Sequence, residues 1–142
     1  MLPAYAKSQY QEMQVQTTPE RLVVMLYDGA LRFLHTALEA LRRRDQEVQG
    51  TNLGKAQAIL CELIDTLDMD VGEMAYQLDS IYRHCLRRLL VANAEDRADY
   101  IEEVIRIMAS LREAWDQAER SMHAPEGGHE DHAPALVGAG QR

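Results

Sequence analysis

The sequence predicts an all-α chain: an antiparallel up-down-up-down four-helix bundle with a short N-terminal segment and a disordered C-terminal tail. Three observations predict it. Apolar residues recur at spacings of three and four through four successive stretches, the period of one helix face. No stretch alternates apolar and polar residues with period two, so no strand is expected. Short polar turns separate the stretches, and helices of this length joined by short turns pack antiparallel to their neighbours. The divisions expected are a capping segment over residues 1–16, the bundle over 17–122 and the tail over 123–142.

The first helix opens at Thr17-Thr18-Pro19-Glu20, with a threonine cap, proline in the first turn and Glu20 three residues after Thr17. It runs to about Arg44, with Leu26, Ala30, Leu34, Ala37 and Leu41 along the middle of its apolar face. Asp45 to Thr51, which contains Gly50, reads as the connection. The second helix carries Leu53, Ala56, Leu60, Leu63 and Leu67 and stops near Asp68-Met69-Asp70-Val71-Gly72. The third runs from about Glu73 to Asn93 and buries Ala75, Leu78, Tyr82, Cys85, Leu89 and Ala92. After a turn at Asn93 to Asp96, the fourth has the most regular seam: Ile101, Val104, Met108, Leu111, Trp115, Ala118 and Met122. From His123 to Arg142 glycine and proline are frequent and large apolar residues nearly absent, so this segment cannot offset its ordering entropy.

The first helix departs from the pattern of the rest. Leu22 to Tyr27 are all apolar and point in every direction at 100° per residue. Only afterwards does a polar stripe appear, at Asp28, Arg32, His35, Glu39 and Arg42. Val24 and Met25 flank that stripe, outside the arc that two neighbours in a bundle cover readily. Their shield is either the N-terminal segment or an apolar partner. Tyr27 and Phe33, on opposite flanks of the arc, serve either as core edge or as partner contacts. Gly29 inside a helix implies close approach of another backbone.

The chain has room for one domain, and its longest apolar run is six residues, too short to cross a bilayer. No secretory signal opens it, so cytoplasmic residence and no membrane insertion are expected. Its 23 acids against 15 bases give a net charge of −8, which disfavours nucleic acid as a partner. Cys61 and Cys85 lack paired spacing and read as two buried thiols. The one Glu-x-x-His, Glu126 to His129, lies in the glycine-rich tail, where no helix holds ligands together. Asp68-x-Asp70-x-Gly72 puts its glycine and glutamate at the wrong positions for a calcium loop. His84 reads as a half-exposed interior histidine. No catalytic residue, metal site or cofactor is therefore expected.

Tyr10-x-x-x-x-Val15, the Thr-Pro helix start and Met25-Leu-Tyr-Asp-Gly-Ala-Leu-Arg-Phe-Leu34 resemble the opening of the flagellar secretion chaperones, the FliS family. The likeness continues through Lys55-Ala-Gln-Ala-Ile59, Glu62-Leu-Ile-Asp-Thr-Leu-Asp68, Leu78-x-x-Ile-Tyr82, Arg87-Arg-Leu89, Ala92-Asn93 and Leu111-Arg-Glu-Ala-Trp115. It covers roughly residues 4 to 120. Here Thr17-Thr18-Pro19 is one residue shorter than the family's usual entry, and Val71-Gly72 stands where a Gly-Gly is common.

The resemblance implies an antiparallel bundle that binds the disordered C-terminal segment of flagellin and prevents its premature polymerisation. It also implies delivery to the cytoplasmic domain of the flagellar type III export gate, with the N-terminal tyrosines Tyr5 and Tyr10 involved. Tyr10 alternatively pins the N-terminal segment to the bundle. Taken together, the expected partner-binding residues are Tyr5, Tyr10, Val24, Met25, Tyr27 and Phe33. A homodimer stays open. The rival reading is a regulatory bundle that binds some other amphipathic helix; composition alone does not separate the two.

Overall fold

The computed structural model describes residues 18–122. They form four helices, α1 (Pro19–Arg42), α2 (Gln46–Thr66), α3 (Glu73–Glu95) and α4 (Ala98–Met122), with one 3-10 turn over Met69–Val71 before α3. No strand occurs among the described residues. The expected capping segment and tail, with Tyr5 and Tyr10, lie outside the described residues.

Local chemistry sets each boundary. Thr18 caps α1: its hydroxyl accepts from the Arg21 amide at 3.1 Å, with Pro19 in the first turn. Asp45 caps α2 by accepting from the Val48 amide at 3.2 Å. The α1–α2 connection is therefore much shorter than the sequence suggested, and Gly50 lies inside α2. Arg44, at φ 65°, reverses the chain in the space that remains. Gly72, at φ 103°, occupies the left-handed region that favours glycine and leads into α3. α3 outlasts its expected end and stops at Asp96, which is left-handed at φ 54°.

α1 packs extensively on α2 and α4, while α3 makes sparser contacts with the same two helices. α1 and α3 are thus diagonal in the bundle. The expected apolar seams form one core. All six positions named on α3 are buried, as are Leu26, Ala30, Leu34 and Ala37 of α1 and Leu53, Ala56, Leu60 and Leu63 of α2. On α4, Ile101, Val104, Met108 and Trp115 are buried. Exceptions fall mostly near helix ends: Leu41 and Leu67 are half-buried and Met122 is exposed. Leu111 and Ala118 are half-buried too. Cys85 is buried, but Cys61 is only half-buried.

Polar contacts bind α1 to α4. Asp28 accepts from Arg112 at 2.8 Å and Glu102 from Arg42 at 2.7 Å, so two members of the polar stripe on α1 face a helix and not only water. Asp116 is buried among three guanidinium groups, from Arg21 at 3.5 Å, Arg112 at 3.8 Å and Arg120 at 2.8 Å. A buried carboxylate needs such compensation. At the other end, buried Gln49 donates to Asn93 at 3.2 Å and Asp96 at 3.1 Å, tying the α1–α2 turn to the α3–α4 turn.

Candidate apolar binding surface

Of the partner-binding residues expected on α1, two are not on the surface. Val24 is 0% exposed and belongs to the core cluster. Tyr27 is also fully buried. Its hydroxyl shares a hydrogen bond with that of Tyr82 on α3, so even its polar end needs no water. Met25 and Phe33 are half-buried. The Phe33 ring has the Arg32 guanidinium 5.5 Å and the Lys55 ammonium 5.3 Å from its centroid, which partly covers it with cations. Gly29 is approached by a side chain and not by backbone: a Cβ there would lie 3.3 Å from Ile59 Cδ1.

The exposed large apolar residues cluster instead around α3. Met74 is 55% exposed, Tyr76 59% and Leu90 59%, with Val71 and Val91 also exposed. Antiparallel topology puts the start of α1, the end of α2, the start of α3 and the end of α4 at one end of the bundle. Val71, Met74 and Tyr76 therefore share an end with exposed Met122. Leu90 and Val91 lie about four turns away along α3.

The sequence carried a signal for this surface. Leu89-Leu90-Val91-Ala92 and Met74-Ala75-Tyr76 each place apolar residues outside the buried seam of α3. Apolar residues outside the stripe that faces the core stay exposed unless something else covers them.

A polar clasp holds α3 to α4. His84 Nε2 lies 2.9 Å from Glu103 Oε2, and Arg88 Nε lies 3.0 Å from the other carboxylate oxygen. The His84 hydrogen bond, together with the charges of Arg88 and His84, holds the Glu103 carboxyl below its usual range. Tyr100 is flanked by two guanidiniums, from Arg88 at 4.2 Å and Arg97 at 4.0 Å from its ring centroid.

A cleft of about 270 Å³, lined by Leu41, Arg42, Arg44, Gln46, Gln49 and Asp96, sits at the opposite end from Met74. Among the described residues no group of three or more His, Cys, Asp or Glu is arranged to hold a metal ion. Burial pushes the Cys85 thiol up to about 12, which keeps it protonated and unreactive at neutral pH. No described helix is long and apolar enough to cross a membrane. What the bundle does offer is apolar surface on a helix that its own fold holds sparsely.

A family model described as Flagellar protein FliS matches residues 1–122. The chain belongs to the FliS family. Relatives named flagellar secretion chaperone FliS include that of Campylobacter jejuni, 40% identical over 69% of this chain and 77% of the relative. That of Bacillus subtilis is 37% identical over 79% of this chain and 84% of the relative. That of Salmonella typhimurium is 35% identical over 82% and 87%. The FliS match spans all four helices and the whole of α3.

Proposed function

We propose that this FliS-family chain is a cytoplasmic export chaperone for flagellin. It binds the disordered C-terminal segment of flagellin, prevents premature polymerisation and delivers the subunit to the cytoplasmic domain of the flagellar type III export gate. One observation carries the reading: large apolar residues stand exposed along α3, in a chain whose relatives are named flagellar secretion chaperones. Large apolar side chains open to water on a helix fit recognition of an amphipathic segment that folds as it binds. The acidic net charge keeps such a surface soluble. Met74, Tyr76, Leu90 and Val91 join Met25 and Phe33 as cargo contacts, and Tyr5 and Tyr10 serve the gate.

The test is calorimetric titration with the C-terminal segment of the same organism's flagellin. The expected result is one-to-one binding, gained helicity and a large negative heat-capacity change, as for burial of about 1,000–3,000 Å². Absence of binding at micromolar concentration would sink the reading and return the chain to a general regulatory bundle.

A further inference from the structure

We propose that the cleft at the end of the bundle opposite Met74 binds a free aliphatic α-amino acid in its zwitterionic form. The cleft holds about 270 Å³, just below the range of drug-sized ligand sites, so its occupant is small. The end of α1 and its turn into α2 contribute Leu41, Arg42 and Arg44, α2 contributes Gln46 and Gln49, and the α3–α4 turn contributes Asp96.

Two charges of opposite sign stand unpaired there. Arg44 and Asp96 both line the cleft, yet they do not pair with each other, and among the described residues neither forms an ion pair elsewhere. Arg42, by contrast, is already neutralised by Glu102 at 2.7 Å. Arg44 also holds a left-handed backbone, at φ 65°. That conformation is familiar for an aspartate such as Asp96 but uncommon for an arginine. Glycine or asparagine would turn the chain at position 44 with less strain, and the chain carries a guanidinium instead.

A third polar group belongs to a buried side chain. Gln49 is 2% exposed, and its amide nitrogen donates to Asn93 at 3.2 Å and to Asp96 at 3.1 Å. Its carbonyl oxygen meets no donor among the described residues, although the side chain lines the cleft. A buried acceptor without a donor calls for one. An ammonium group supplies protons both to that oxygen and to the Asp96 carboxylate. A carboxylate on the same carbon turns to Arg44, whose planar fork takes it at two points. Leu41 and the aliphatic stems of Arg42 and Arg44 leave an apolar wall for the ligand's side chain. A simple anion would leave Asp96 and the Gln49 oxygen unanswered, and a simple cation would leave Arg44 so. Only a ligand with both charges answers all three.

Calorimetric titration of the full chain with millimolar L-leucine tests the site. N-acetyl-leucine and leucine amide are the probes that each lack one charge. Leucine is expected to bind one-to-one and to raise the melting temperature as its concentration rises. Each single-charge probe binds about tenfold more weakly or not at all. Arg44→Asn and Asp96→Asn each weaken leucine binding about tenfold or more. Asparagine tolerates the left-handed conformation, and its side-chain oxygen at position 96 still accepts from Gln49, so circular dichroism should report unchanged helicity. Arg44→Lys keeps the charge without the fork and should fall between parent and Arg44→Asn. No binding of leucine at millimolar concentration, equal binding of N-acetyl-leucine, or Asn variants that bind as the parent does overturns the proposal. No flagellin segment is present in these measurements, so the site and the chaperone reading fail separately.

Discussion

The hydroxyls of Tyr27 on α1 and Tyr82 on α3 meet in the centre of the bundle, with ring centroids 6.5 Å apart and planes inclined by 49°. α1 and α3 are diagonal, so this bond spans a core in which other close packing runs between neighbours. Both side chains are buried, and the Trp115 side chain also hydrogen-bonds the Tyr27 hydroxyl. The pair fixes how α3 is set against α1, although α3 has the sparser contacts.

Removing one hydroxyl should therefore cost more than removing both. Tyr27→Phe leaves the buried Tyr82 hydroxyl without its partner, a loss of about 1–3 kcal/mol, while in Tyr82→Phe the Tyr27 hydroxyl keeps Trp115 and loses less. The double Phe variant has no orphan hydroxyl and should be closer to the parent than the sum of the singles. Urea unfolding of the four proteins measures the difference; strict additivity would show that the hydroxyls act independently.

Alkaline pH should strain the same centre. Burial raises the Tyr82 hydroxyl to about 12 and the Tyr27 hydroxyl also well above 10. An unfolded tyrosine ionises near 10, so the folded state gains nothing from the shift below that pH. Above it the unfolded chain releases protons that the core retains, and stability falls as pH rises from about 10 towards 12. Cys85, raised from 9.0 to about 12 by burial, begins the same loss nearer pH 9. The double Phe variant should lose the steeper part of the decline and keep the part that Cys85 causes. Urea midpoints across pH 8 to 12 would show it.

On the acid side the α3–α4 clasp is the sensitive element. The Glu103 carboxyl is held below its ordinary value of 4.5, first by the His84 hydrogen bond. A depressed folded value stabilises above the unfolded value and is lost as pH falls through the folded one. Glu103→Gln should flatten the stability profile below about pH 4.5 and raise amide exchange in α3 more than in α1. Equal exchange changes in both helices would mean that the clasp does not hold α3 in particular.

How much of this was legible in the sequence depends on what each feature needs. The seam Ala75, Leu78, Tyr82, Cys85, Leu89 and Ala92 was read without a miss, because burial at helix period repeats along one element. The turn at Gly50 was misplaced because glycine suggested a loop, while Asp45 and a left-handed Arg44 had already reversed the chain. The sequence leaves Val24 and Tyr27 open between core and partner contact, and the structure buries both. Periodicity gives the width of an apolar arc but not which helix is flanked most closely by its neighbours. α1 is closely flanked and buries its excess; α3 is not and exposes Met74, Tyr76 and Leu90. The Tyr27–Tyr82 bond, between residues 55 apart, had no local signature at all.

That contrast gives the sharpest test of where cargo binds. Val24→Glu places a charge in a fully buried site and should unfold the bundle. Leu90→Glu changes a residue 59% exposed, so the protein should melt like the parent. It should still lose about 2 kcal/mol or more of affinity for the flagellin segment, the scale of an interface hot spot. Weaker cargo binding in this variant reports a lost contact on α3. If Leu90→Glu and Met74→Glu fold and bind as the parent does, the cargo lies on another face. The half-buried Met25 and Phe33 of α1 are then the next surface to change.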